Sequence, residues 1–135
     1  MHLSYTPPIQ LTAGTNHHAF TSCARWKGQT YVAYRAAETH HPWPLGNICI
    51  STLTNATTRP NITFWNTDID GDLRDPRLIT TSDVLYCLIG AYLPKYPRTT
   101  VSLRSSENLI QSFLTYTEDG VKWAPLAPIY RPNYW

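Results

Sequence analysis

Gly71-Asp72-Leu73-Arg74-Asp75-Pro76-Arg77-Leu78 sets acids and arginines around one proline, directly ahead of the apolar run Val84 to Ile89. Proline fixes its own φ and drives the residue before it towards extended backbone. This predicts Asp75 at the stiff entrance of a strand running to Thr80. A carboxylate flanked by Arg74 and Arg77 is held ionised where the three are close. Taken alone, the stretch also reads as a charged turn ahead of a strand. What decides is whether the pattern recurs.

It does recur. Residues 17–26 and 30–35 read as strands joined by a tight turn at Lys27-Gly28-Gln29, and 47–51 reads as a third. The loop 36–46 between them holds Glu38, His40, His41 and Trp43, and a Thr/Asn-rich stretch then ends at Phe64-Trp65. The second half repeats the order: strands over 75–80 and 84–89, a Pro-rich loop, and strands near 100–103 and 112–116. Arg74 lies 56 residues after His18, Trp123 lies 58 after Trp65, and Arg131 lies 57 after Arg74. Four short strands per period of this size fit a β-propeller blade. The expected fold is all-β: an arm over 1–16, blades over 17–70 and 71–130, and the start of a third blade over 131–135. Two blades cannot close a ring, so the rest of the propeller is expected from sequence beyond Trp135 or from a partner. A small sandwich built from the same eight strands is the competing architecture.

The totals exclude several classes. With 135 residues the chain can bury one real core. A net charge of +2 and the absence of any Lys/Arg run argue against nucleic acid. No apolar run is long enough to span a membrane. The N-terminal residues lack the basic start and apolar middle of a signal peptide, and the compartment stays open. Cys23, Cys49 and Cys87 have no CxxC spacing and lie in strand-like contexts, which predicts three small buried hydrophobes.

Thr117-Glu118-Asp119-Gly120-Val121-Lys122-Trp123 resembles the Asp-box of the sialidase superfamily, a structural hairpin in which the Asp side chain binds backbone N–H groups and the Trp packs beneath. Phe64-Trp65 is similar to a decayed copy. His18-Ala19-Phe20, Gly28 and Arg35 match in order the opening strand, turn and second-strand arginine of a sialidase blade, and Asp75-Pro76 is similar to the pair that opens the next. The resemblance implies a six-bladed propeller with a sugar pocket at its axis; from the residues themselves no cofactor and no metal is expected. It implies substrate contacts from Arg35, Arg74 and His18. His18 stands where these relatives carry an arginine, and the loop after Arg35 has no Asp where they carry the acid/base. The resemblance therefore leaves two functions open: a glycoside hydrolase, with Asp75 stabilising a cationic transition state and His41 or Glu38 moving the proton, or a carbohydrate-binding module that has lost its acid.

Arg74-Asp75-Pro76 also resembles a motif of five-bladed glycosidases acting on fructosides, in which the Asp stabilises the same kind of cation. Asp68-Ile69-Asp70-Gly71-Asp72 is like half of a calcium loop, but its Gly comes too early and position twelve is Ile79. The pairs His17-His18 and His40-His41 each offer one ligand at most to a metal, because neighbours on a strand point to opposite faces. Trp26, Trp43 and Trp135 are candidates for a sugar platform, weighed against the commoner fate of tryptophan in a β core.

Overall fold

The structure, a computed structural model, describes residues 10–12, 15–40, 45–53, 62–94 and 108–129. Among them every regular element is a strand except one 3-10 turn at Asn66–Asp68. Strands β1 (His17–Trp26), β2 (Gln29–Ala37), β3 (Asn47–Thr52) and β4 (Ile62–Phe64) form one antiparallel sheet in chain order. Strands β5 (Asp72–Thr80), β6 (Leu85–Pro94), β7 (Asn108–Thr117) and β8 (Ala127–Ile129) form the second. The chain is all-β, with two four-stranded antiparallel sheets. The sequence-expected strand near 100–103, the opening at Arg131, and Trp43 and Trp135 lie outside the described residues.

Local chemistry sets the strands. Lys27 and Gly28 both have positive φ, 45° and 79°, between the paired residues Trp26 and Gln29. That is the two-residue hairpin whose twist suits its flanking strands. In β2, alternation gives two buried faces. Tyr31 and Ala33 join Ile48, Ile50 and Phe64 in packing against Leu73, Leu85, Cys87, Ile89, Ala91 and Phe113 of the second sheet. On the other face Val32 and Tyr34 pack with Cys49, and Leu11 from the N-terminal arm lies against them. The main core is thus the layer between the two sheets. Trp26 belongs to it at 4% exposure, so it is a core residue and no sugar platform.

β1 and β5 share one irregularity. Each carries a bulge, between Ala19 and Ser22 and between Arg74 and Arg77. Each bulge holds one residue in the left-handed region, Phe20 at φ 53° and Asp75 at φ 50°. A bulge also suits Pro76, which has no N–H for the ladder. The Ser22 hydroxyl oxygen accepts the Leu78 N–H at 3.0 Å and ties the two bulged strands together.

Three sequence expectations change. β5 begins at Asp72, so Asp75 sits inside a strand at its bulge and not at its entrance. The bulges align Arg74 with Ala19, because Ala19 pairs with Arg35 as Arg74 pairs with Gly90. The repeat step is therefore 55 residues here, and His18 matches Leu73; matching by polar residue type had slipped the register by one. Cys23 is exposed, because it lies on edge strand β1 opposite Val32, on the face turned away from the second sheet.

Burial pushes the Cys87 thiol up to about 12, and it raises Cys49 as well. A thiol reagent should therefore modify Cys23 quickly in the native protein and reach Cys49 and Cys87 only after unfolding. Equal native reactivity of Cys87, measured by mass spectrometry of the labelled peptides, contradicts the core described here.

Candidate functional site

The chemistry of the chain gathers where β5 begins. Asp72 is fully buried, and its carboxylate accepts five N–H bonds. Arg35, at the far end of β2, donates from Nε at 3.2 Å and Nη2 at 2.7 Å to Oδ1. Arg74 donates from Nε at 2.8 Å and Nη2 at 2.6 Å to Oδ2. The Gly46 N–H completes Oδ1 at 2.6 Å. Strand geometry makes this possible: residues 72 and 74 share one face of β5. The planar guanidinium fork matches a carboxylate with two parallel bonds.

The remaining donors separate the two arginines. Arg35 is buried, and its Nη1 donates to the Thr39 carbonyl at 2.9 Å, so all three of its nitrogens are engaged. The Arg74 side chain is 11% exposed. Its guanidinium lies 4.4 Å from the centroid of the Tyr92 ring and 5.6 Å from that of Phe20. Such contacts draw the cation towards the negative faces of the rings. Among the described residues its Nη1 has no hydrogen-bond partner.

Gly46 is required by this packing. A Cβ there would fall 2.2 Å from Arg35 Nε and 2.6 Å from its Cζ. The Gly46 carbonyl also accepts the Leu73 N–H at 3.1 Å, so the segment carrying Gly46 is bonded to β5 from both ends of one residue. Beside it, Asn66 fastens the passage from β4 to β5. Its side chain donates to the Leu45 carbonyl and to the Asn47 amide oxygen, at 3.1 and 3.0 Å.

The other sequence-derived candidates fall around this centre. Asp75 is half-buried on the β5 bulge, and among the described residues its carboxylate accepts no hydrogen bond. The ion pair expected for Asp75 belongs to Asp72. Arg77 is exposed beyond the bulge. Glu38 is exposed in the bend after β2. His41 lies outside the described residues. His18 does not join the arginines: its ring stands edge-on to Tyr34 at 5.3 Å, on the sheet face opposite Arg35. Burial and the neighbouring His17 lower its pKa. The histidine on the arginine side is His17, whose ring meets His40 at 5.2 Å, and His40 in turn meets Phe20 at 5.4 Å.

In the hairpin after β7 the Asp119 carboxylate accepts the Val121 and Lys122 N–H groups, each at 2.8 Å, and the Thr117 hydroxyl at 3.1 Å. Those backbone bonds, Lys122 first, hold Asp119 below the usual carboxylate range. Gly120 has φ 77° and donates to the Thr117 hydroxyl oxygen at 2.9 Å. Trp123 packs edge-on against Phe64 at 6.0 Å, and Lys27 Nζ donates to the Glu118 carbonyl at 2.7 Å. The hairpin of the second sheet therefore grips the first. Trp65, the counterpart proposed for Trp123, is 57% exposed; Phe64 enters the core instead.

Asp72, Gly46, Phe20 and Tyr92 are the residues that sequence reading missed. The 72/74 spacing on one strand face was the signal for Asp72, although the stretch also resembled half a calcium loop. Asp68 of that stretch accepts the Trp65 N–H at 3.1 Å, and Asp72 is taken by the arginines. Among the described residues no group of three or more His, Cys, Asp or Glu side chains is placed to hold a metal ion. Nothing in sequence marks Phe20, because a bulky residue in the left-handed region breaks the usual preference. Comparisons with protein-family models, with curated proteins and with solved structures found no match.

Gly46→Ala should lower stability by about 1–3 kcal/mol, the usual cost of overpacking a filled core. Urea unfolding measures it, and an unchanged midpoint contradicts the close approach of Arg35 to this backbone.

Proposed function

We propose that the chain forms two blades of a sialidase-like β-propeller whose intact form is a glycan-active glycoside hydrolase. The observation that carries the reading is the contrast between two acids three residues apart. Asp72 is saturated by arginines, whereas Asp75 is held in left-handed backbone with its carboxylate unbonded among the described residues. Backbone strain of this kind, costing about 1–3 kcal/mol, is concentrated at functional sites.

The propeller reading draws on the repeat. Stepping 55 residues along the chain carries Tyr31 and Ala33, which face the second sheet, onto Tyr86 and Leu88. On that equivalent face Tyr86 pairs with Tyr116 at 6.1 Å, and Ile79 and Tyr116 are 53% and 43% exposed. An apolar face in this position suits a further blade. Bulged β1 and β5 then run side by side along the propeller axis, with Arg74, Asp75 and the Phe20 and Tyr92 rings at one edge of it.

At that edge Asp75 stabilises the oxocarbenium-like transition state of glycoside cleavage by its negative charge. Arg74 fixes a ring substituent with the N–H groups that Asp72 does not take. His41 or Glu38 moves the proton to the leaving oxygen. A binding module without catalysis is the second reading. Both arginines expected to meet the substrate are bonded to Asp72, and no Asp lies between Arg35 and Asp68 to act as the acid, which favours it.

Turnover of a panel of chromogenic glycosides by the full-length protein decides between them. Asn tolerates left-handed backbone, so Asp75→Asn should keep the bulge while lowering turnover by about 10²–10³-fold. Retention of sugar without turnover by either protein selects the binding module. Turnover unchanged by the substitution removes Asp75 from the chemistry.

A further inference from the structure

We infer that His40 is the general acid and base of glycoside cleavage, and that His17 is the residue that positions it. The inference rests on the hydrolase reading above and gives its proton-transfer step to His40 in place of His41 or Glu38.

His40 is tethered to the Arg74–Asp75 edge by backbone and by ring. The carbonyl of Thr39, the residue before it, accepts the Arg35 Nη1–H at 2.9 Å, and Arg35 is held in turn by the buried Asp72. The His40 ring meets the Phe20 ring at 5.4 Å, and Phe20 lies 5.6 Å from the Arg74 guanidinium. One aromatic ring therefore links the imidazole to the arginine beside Asp75. A bulge re-aims the side chain it carries. Phe20 sits in the β1 bulge at φ 53°, and the direction it gives its ring accounts for a strained backbone that no local rule explains. Asp75 is its counterpart on the β5 bulge, and the Ser22–Leu78 bond holds the two strands together. The acid thus comes from the first sheet and the stabilising carboxylate from the second.

His17 supplies an independent observation. Its Nδ1 is buried and has no hydrogen-bond partner among the described residues. An unpaired buried polar atom is costly, and its presence calls for a reason. The ring beside it, 5.2 Å away, is that of the exposed His40. A turn of the His40 ring brings an N–H to His17 Nδ1. A protonated imidazole has two N–H groups, so the other remains for the substrate. An acid oriented by a neighbouring side chain is the usual arrangement for proton transfer. The step balances. The His40 proton passes to the glycosidic oxygen as the C–O bond breaks, the bonding pair leaves with that oxygen, and Asp75 faces the cationic sugar. Water then adds to the anomeric carbon and returns a proton to His40.

Turnover by the full-length protein of a phenyl and a dinitrophenyl glycoside of the same sugar tests this. Dinitrophenolate is a stabilised anion and departs unaided, whereas phenolate needs a proton. His40→Asn should lower turnover of the phenyl glycoside by about 10²–10⁴-fold and leave the dinitrophenyl glycoside within a few-fold of the wild type, which also shows that the variant is folded. His17→Phe keeps a ring and loses the nitrogens, so it should give the same selectivity with a smaller loss. Asp75→Asn should lower both, because the cation forms with either leaving group. Equal losses on the two substrates in His40→Asn overturn the assignment and leave the hydrolase reading intact. So does selectivity in His41→Asn or Glu38→Gln with His40→Asn unaffected. Unchanged turnover of both by His17→Phe overturns its positioning role. If the wild type turns over neither glycoside of any sugar in the panel, the hydrolase reading fails and this inference fails with it.

Discussion

One buried carboxylate joins the two sheets. Asp72 begins β5, yet it collects donors from the end of β2, from the segment leading into β3 and from its own strand. Taking three charges out of water costs several kcal/mol per ion unless each is paired and hydrogen-bonded. Here the pairing is nearly complete, and the geometry that completes it dictates other choices. Gly46 has no room for a side chain, Arg74 is pressed between Tyr92 and Phe20, and β5 has to start where its 72/74 face meets Arg35. A buried ion cluster contributes less to net stability than apolar packing of equal volume, but removing one member leaves an uncompensated charge. Its role is to fix how the sheets meet.

The opposite end of the layer is held by different chemistry. There the Thr117–Trp123 hairpin, ordered by Asp119, reaches across to Lys27, Tyr31 and Phe64 of the first sheet. A Cβ on Gly120 would lie 2.2 Å from the Tyr31 hydroxyl oxygen, so this contact too depends on a glycine. β2 spans the distance between the two fastenings, with Tyr31 at one end and Arg35 at the other. Between them the apolar residues of both sheets form the core. With both ends tied, the β1 and β5 bulges are held side by side, and the strain at Phe20 and Asp75 is sustained by their surroundings.

Much of the fold was legible in the sequence, for local reasons. The Lys27-Gly28 turn, the Thr117-to-Trp123 hairpin and the alternating apolar runs are short-range signals, and they place most strands and the division into two sheets. The centre was less legible because it is made at long range. Arg35, the partner that joins Asp72 to the other sheet, is 37 residues away, and no local pattern says which of several acids that arginine will find. Asp75 drew attention because its proline is a strong local signal, whereas Asp72 has no such marker. The one-residue slip that matched His18 with Arg74 came from aligning polar residues, when the equivalence is carried by bulge positions occupied by Phe20 and Asp75. It had put His18 beside the arginines; its ring lies on the other face, and His17 takes the near side.

The most direct test of the joint is a double-mutant cycle on Arg35 and Asp72, with urea unfolding of Arg35→Met, Asp72→Asn and the double variant. Each single change should cost about 3–5 kcal/mol by stranding a buried partner. The double variant should cost well under the sum, because the Arg35–Asp72 pair is lost only once, and what it leaves without a carboxylate is the partly exposed Arg74. Additive losses within about 0.5 kcal/mol would show that the two residues act independently and would contradict a fold joined through Asp72.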